Sequence, residues 1–275
     1  MSSLLLGRLG SIAREEARFI GELGSDKYRK RDGTSVVPWE FRLTVTGVLA
    51  GGEGQNGLGR YYALAREATA ELQKAPKEDK SIWSRRIKEL GLYVAAILVG
   101  VRDAITATEH LKNMHSSAKA LGDEEFASRV AFATSLAYLR IGDTLAAREW
   151  LQSVPSSEAQ AEFVRAVCSI ADADWPSASS QLEQVKENVP QEVKPQILNN
   201  EALVNLYQGK VADAITELEK LSLSGAIQPT ILLNLFTVYD LQQQVSATAK
   251  TDLLQGIRAQ GVESLGSYEM LRIGS

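Results

Sequence analysis

The stretch Gly51-Gly52-Glu53-Gly54-Gln55-Asn56-Gly57-Leu58-Gly59 has glycines at 52, 54 and 57. That is the G-x-G-x-x-G spacing that lets backbone amides close around a dinucleotide pyrophosphate. Just before it, Phe41, Leu43 and Val45 alternate with Arg42, Thr44 and Thr46, as in a half-buried strand, and residues 58–72 read as a helix. Strand, glycine loop and helix would hold NAD. Such a site also needs a second strand after the helix, with an acid near its end about twenty residues on. Here the helix runs instead into the polar, proline-bearing linker KAPKEDK (74–80) and then another helix. The motif fails its context, and no cofactor is expected.

The other chemically capable residues are equally dispersed. Cys168 lies in the apolar helical stretch AEFVRAVCSIADA, where a small buried hydrophobe is the expected role. As the only cysteine it excludes an intrachain disulfide and fits a reducing compartment. His110 and His115 are five apart, off a common helix face, with no carboxylate or thiolate cluster, so no metal is expected. Asp213 and Glu217 read as ordinary helix-surface charge. There is no G-x-S-x-G, P-loop or H-E-x-x-H. The expectation is a protein that is not an enzyme, with no catalytic residues. The basic run Lys27-Tyr28-Arg29-Lys30-Arg31 reads as solvated loop surface, with a phosphate or acidic-partner site as the alternative.

The elements that carry these residues emerge from composition and period. The 275 residues are 44% apolar and 23% charged, with a net charge of −4, which is globular chemistry and argues against nucleic acid. The N-terminal MSSLLLGRLG has too short an apolar run, broken by Arg8, for a signal peptide. Leu90 to Val101 is bounded by charges and falls short of the roughly twenty apolar residues a span requires. The expectation is a soluble, cytosolic chain with no direct membrane insertion.

After residue 75 the chain reads as helix after helix, with glycine and proline at the junctions. Four segments align: VGVRDAITATEHLKNM, RIGDTLAAREWLQSV, DADWPSASSQLEQVKENVP and YQGKVADAITELEKL. Each places a small residue (Ala104, Ala147, Ala178, Ala214) four before a second position (Thr108, Leu151, Leu182, Leu218) and seven before a third (Leu111, Val154, Val185, Leu221). This spacing makes one apolar stripe per helix and resembles helix B of the tetratricopeptide repeat, whose ideal period is about 34. Residues 38–50 with 58–73, and 229–242 with 247–260, supply further pairs. In this frame Pro38 is a first-turn proline, and Trp39, Leu43, Thr46 and Ala50 share one face. The fold class is all-α: a tetratricopeptide-like right-handed superhelix of antiparallel helix pairs, an α-solenoid. Residues 1–36 form a helical lead-in and basic loop, and 37–275 the repeats.

Five blocks in collinear order carry a closer resemblance. NNEALVNLYQGKVADAITELEKL followed by TILLNLFTVYDLQ, together with VVPWEFRLTVTGVLAGGEGQNGLGRYYAL, IWSRRIKELGLYVAAILVGVRDA and RIGDTLAAREWLQSV, is similar to the C-terminal repeat domain of the subunit 12 family of the transport protein particle (TRAPP) complex. The resemblance runs from about Ala13 to Ile273. It departs in the long glycine-rich turn at 51–59, in Gly59 where the family has aspartate before Arg60, and in lacking the family's long N-terminal part. It implies a non-catalytic subunit of a vesicle tether and Rab exchange factor, serving endoplasmic reticulum to Golgi traffic and autophagy. The implied partners are other TRAPP subunits, above all the large accessory ones. The implied location is cytoplasmic, peripheral to intermediate-compartment and Golgi membranes.

Asn199 and Asn200 match the family's paired asparagines at the start of a helix A. A bond to neighbouring backbone is the favoured role, because asparagine near helix starts bonds locally. The alternative makes them partner-binding residues that face the concave groove. A rival function is a co-chaperone clamping a C-terminal carboxylate, but that needs lysine and asparagine four apart, and Lys194 stands five before Asn199.

Overall fold

The computed structural model describes residues 3–31, 33–50, 56–155, 159–224, 229–241 and 246–259. Among them the regular structure is helical, apart from a single antiparallel bridge between Arg29 and Ser35. The contacts divide the chain into two compact units, Leu9–Pro155 and Ser156–Ser275 with Met1–Arg8.

The first unit is built from the part of α1 (Ser3–Ile20) from Leu9 on, a 3-10 turn (Asp26–Tyr28), α2 (Trp39–Ala50), α3 (Asn56–Lys74), α4 (Lys80–Gly100), α5 (Ala104–Ala120), α6 (Glu124–Ile141) and α7 (Thr144–Leu151). The second contains α8 (Ala159–Ala171), α9 (Trp175–Lys186), α10 (Lys194–Tyr207), α11 (Val211–Leu223), α12 (Pro229–Leu241) and α13 (Ser246–Ala259). Within each unit consecutive helices pack on one another, so each is a run of antiparallel helix pairs. The architecture is an all-α solenoid of tetratricopeptide-like pairs.

One turn recurs at five helix junctions: α4–α5, α5–α6, α6–α7, α8–α9 and α10–α11. Arg102, Gly122, Gly142, Ala173 and Gly209 take positive φ, between 58° and 92°. The next N–H then reaches back to the carbonyl five residues earlier: Asp103 to Leu98, Asp123 to Ala118, Asp143 to Tyr138, Asp174 to Ser169 and Lys210 to Asn205, each at 2.9–3.0 Å. This closes the outgoing helix in a Schellman motif. The same residue opens the next helix. Asp103, Asp123, Asp143 and Asp174 accept the backbone N–H three residues on at 2.9–3.3 Å, while Lys210 has no side-chain cap.

At four of the five anchors a fully buried alanine follows four residues on, and a buried leucine four after that: Ala107 and Leu111, Ala147 and Leu151, Ala178 and Leu182, Ala214 and Leu218, all 0–1% exposed. Each such leucine contributes about 1.5–3 kcal/mol of burial. Three of the four units keep the register expected from sequence. The first does not: Ala104 is only half-buried and Ala107 takes the close-contact position. The register there is three residues off, because Asp103 sets the start of α5.

Residues 41–49, strand-like in pattern, lie within α2. Its buried face is Trp39, Arg42, Val45 and Leu49, with Ala50, rather than Trp39, Leu43, Thr46 and Ala50. An arginine inside this face is possible because α3 supplies Glu67 opposite it. Val45 and Leu49 also receive Ala17 of α1, which seats the lead-in helix.

Candidate interaction surface

Of the three glycines of the motif, only Gly57 lies within the described residues, and it is a packing position. Residues 51–55 lie outside them, and Asn56 and Gly57 open α3. A Cβ on Gly57 would lie 2.8 Å from the Ala50 carbonyl oxygen, so only glycine lets α3 start this close to the end of α2. With a helix on each side, the strand that a pyrophosphate loop requires is missing here.

Cys168, His110 and His115 are packed among neighbouring helices. Cys168 is fully buried in α8. His110 Nε2 sits 3.0 Å from the Gly91 carbonyl oxygen, across α4 and α5. His115 presents its ring edge-on to Trp150 of α7, 5.0 Å between centroids, and burial pushes its pKa down. The two histidines thus serve different neighbours.

The basic run divides in two. Arg29 turns inward: its Nε donates to the Gly24 carbonyl at 3.1 Å, Nη1 to the Gly33 carbonyl at 2.9 Å, and Nη2 pairs with Glu67 at 3.1 Å. Glu67 also takes both terminal nitrogens of the buried Arg42. Burial alone would raise the Glu67 carboxyl, but these two guanidinium groups outweigh it and hold it below the ordinary value. The cluster fastens the lead-in loop to α2 and α3 beside a cleft of about 460 Å³. Lys27, Lys30 and Arg31 face solvent.

A second, more apolar cleft of about 490 Å³ runs between α3, α4 and α5, with Tyr62, Ile87, Met114 and Leu121 on its walls. Its floor depends on Gly91, where a Cβ would lie 2.6 Å from the Met114 methyl.

In the second unit, Asn199 is 7% exposed and its Oδ1 accepts from Asn234 Nδ2 at 2.9 Å, tying α10 to α12. Asn200 beside it is half-buried. The pair does not start its helix. α10 begins at Lys194 with Pro195 in its first turn, so both asparagines sit in its middle. Lys194 and Asn199, five positions apart, point about 140° apart around α10 and form no clamp.

Glu217 differs from the ordinary surface charge expected of it. It is half-buried on α11 and accepts from Asn205 Nδ2 at 3.2 Å. Burial raises its pKa, and Glu201 and Asp213 add to the rise. Lys186 gives its ammonium to both oxygens of Glu201, at 3.1 and 2.9 Å, leaving Glu217 the weaker counter-charge. Nearby, Trp175 and Tyr207 stack at 4.5 Å with their planes within 1°, joining α9 to α10.

No protein-family model matches the chain, and no curated protein matches it. Among solved structures it is similar to a putative kinesin light chain from Podosopora anserina with nearly identical TPR-like repeats, at 19% identity and TM-score 0.48, over 63% of this chain and 96% of that one. A single-substitution variant of the same protein gives 19% identity and TM-score 0.48, over 62% and 92%. That likeness lies below the level that bears on function. The class rests on the helix pairs themselves: a tetratricopeptide-like repeat fold.

Proposed function

We propose that the chain is a non-catalytic scaffold that works by binding other proteins. The observation that carries this reading is the recurring turn, Schellman closure plus aspartate cap plus buried alanine. It commits one face of each helix to its neighbours and leaves the turn edges and outer faces for partners. Cys168, His110 and His115, the groups that ordinarily carry chemistry, are engaged in packing.

The finer reading is an accessory subunit of the TRAPP tether, acting between endoplasmic reticulum and Golgi and in autophagy. The five collinear sequence blocks support it. The partners are then other TRAPP subunits, above all the large accessory ones, and the chain is peripheral to intermediate-compartment and Golgi membranes. Among the described residues no helix is long and apolar enough to cross a membrane. Asn199 is spent on Asn234, so within the asparagine pair partner contact falls to Asn200.

Purification of the tagged chain from its native cell tests both levels. TRAPP subunits among the co-purifying chains are the expected result. A stable assembly without them keeps the scaffold and removes the TRAPP reading.

A further inference from the structure

The loop between α1 and α2 carries a basic run that helix packing uses only in part. Within it Arg29 stands five residues before Thr34, and Arg31 three before it. Basophilic serine/threonine kinases select substrates by charge pattern, with groove carboxylates that read arginines at those two spacings. Among residues 27–37 four cations, Lys27, Arg29, Lys30 and Arg31, stand against a single acid, Asp32.

The loop presents its hydroxyl to such an enzyme. Thr34 is exposed, as are Lys30, Arg31 and Gly33 around it. Two backbone bonds close the turn: Lys30 N–H to the Thr34 carbonyl at 2.8 Å, and Gly33 N–H to the Lys30 carbonyl at 2.9 Å. A kinase takes its substrate extended. Straightening residues 30–34 breaks these two bonds and draws no side chain of Lys30, Arg31 or Thr34 out of a core, which places the turn at the low-stability end of the unit.

The two arginines differ in access. Arg31 faces solvent, whereas the Arg29 guanidinium is turned onto Glu67 at 3.1 Å and onto the Gly24 and Gly33 carbonyls. One half of the pattern is open to an enzyme, and the other half is held by an ion pair.

We propose that Thr34 is a phosphorylation site for a basophilic kinase, and that the Arg29–Glu67 pair controls how fast it is modified. In the step, Thr34 Oγ1 bonds to the γ-phosphorus of ATP and the bond from that phosphorus to the β,γ-bridging oxygen breaks. ADP leaves, and the hydroxyl proton passes to the kinase's catalytic aspartate. The proposal stands whichever partners the scaffold binds.

The test incubates the whole chain with ATP and a purified kinase that selects Arg-x-Arg-x-x-Ser/Thr, and locates the phosphate by fragment-ion mass spectrometry. Thr34 should be the principal site. Arg31→Ala should slow its modification roughly tenfold, and because Arg31 is exposed this variant keeps the test decisive even if Glu67→Gln does not fold. Glu67→Gln frees Arg29 and should speed modification several-fold. Ala107→Leu, which overpacks α5 without touching the loop, should keep the wild-type rate and so separates release of Arg29 from general loosening. Equal rates in Glu67→Gln and Ala107→Leu would overturn the role of the ion pair. Phosphate on Ser35 in place of Thr34, or a chain left unmodified while a peptide of residues 27–37 is phosphorylated, would overturn the site. A peptide that also stays unmodified would overturn it too, by showing that the pattern is not read.

Discussion

Asn234 donates its side-chain amide to Asn199 Oδ1 at 2.9 Å, bridging α10 and α12 one repeat apart. Asn199 is nearly buried, so its replacement by alanine leaves the Asn234 amide facing a site with little water. We expect Asn199→Ala to lose about 1–2 kcal/mol in urea unfolding. Asn200→Ala should stay within about 0.5 kcal/mol of wild type. Equal losses for the two would contradict this division of roles.

Ala107, and not Ala104, is the close-contact alanine of α5. Ala107→Leu forces extra volume into a site that is 0% exposed and should cost about 1–3 kcal/mol, as should Ala214→Phe in α11. Ala104→Leu should leave the melting temperature close to wild type. The opposite ranking would restore the register read from the alanine spacing.

Glu67 neutralises Arg42, whose side chain is 6% exposed. Glu67→Gln strands that buried cation and should cost about 3 kcal/mol at neutral pH. The Glu67 carboxyl is held below its ordinary value, so its contribution is present above the unfolded pKa and is lost as pH falls through the folded one. The gap between wild type and variant should therefore narrow in acid. A gap independent of pH would mean that shape, not charge, is what Glu67 supplies.

Glu217 has the opposite sign. Its folded pKa is raised, so the native state binds the proton more tightly than the unfolded chain. Ionisation then costs stability, progressively as pH rises from the unfolded value of about 4.3 through the folded one. Glu217→Gln should be more stable than wild type at pH 7, and the advantage should vanish below about pH 4. A variant less stable than wild type at pH 7 would show that Lys186 and Asn205 compensate the charge.

The helices and their inner stripes were legible because alanine and leucine recur at helical spacing within each segment: Ala147 with Leu151, Ala178 with Leu182, Ala214 with Leu218. The slip in α5 arose where two small residues, Ala104 and Ala107, compete for one position. The cap aspartate settles it, since Asp143 and Asp174 each stand four before their buried alanine and Asp103 stands four before Ala107. Other features were hidden because the partner is distant in sequence. Arg42 enters the core only because Glu67 waits on the next helix, and Asn199 finds Asn234 a full repeat later. No local period reports such pairs. The strain at Arg102 is a backbone property with no sequence signature until glycines at the equivalent turns are aligned with it.

The account stands on the claim that this chain acts as one member of an assembly held by protein contacts. Sedimentation of the endogenous chain from its native cell, at physiological salt, measures that directly. It should travel with a complex several times heavier than the chain alone and shift to the monomer position when salt is raised. A chain that sediments as a monomer under native conditions, in every preparation, would contradict it.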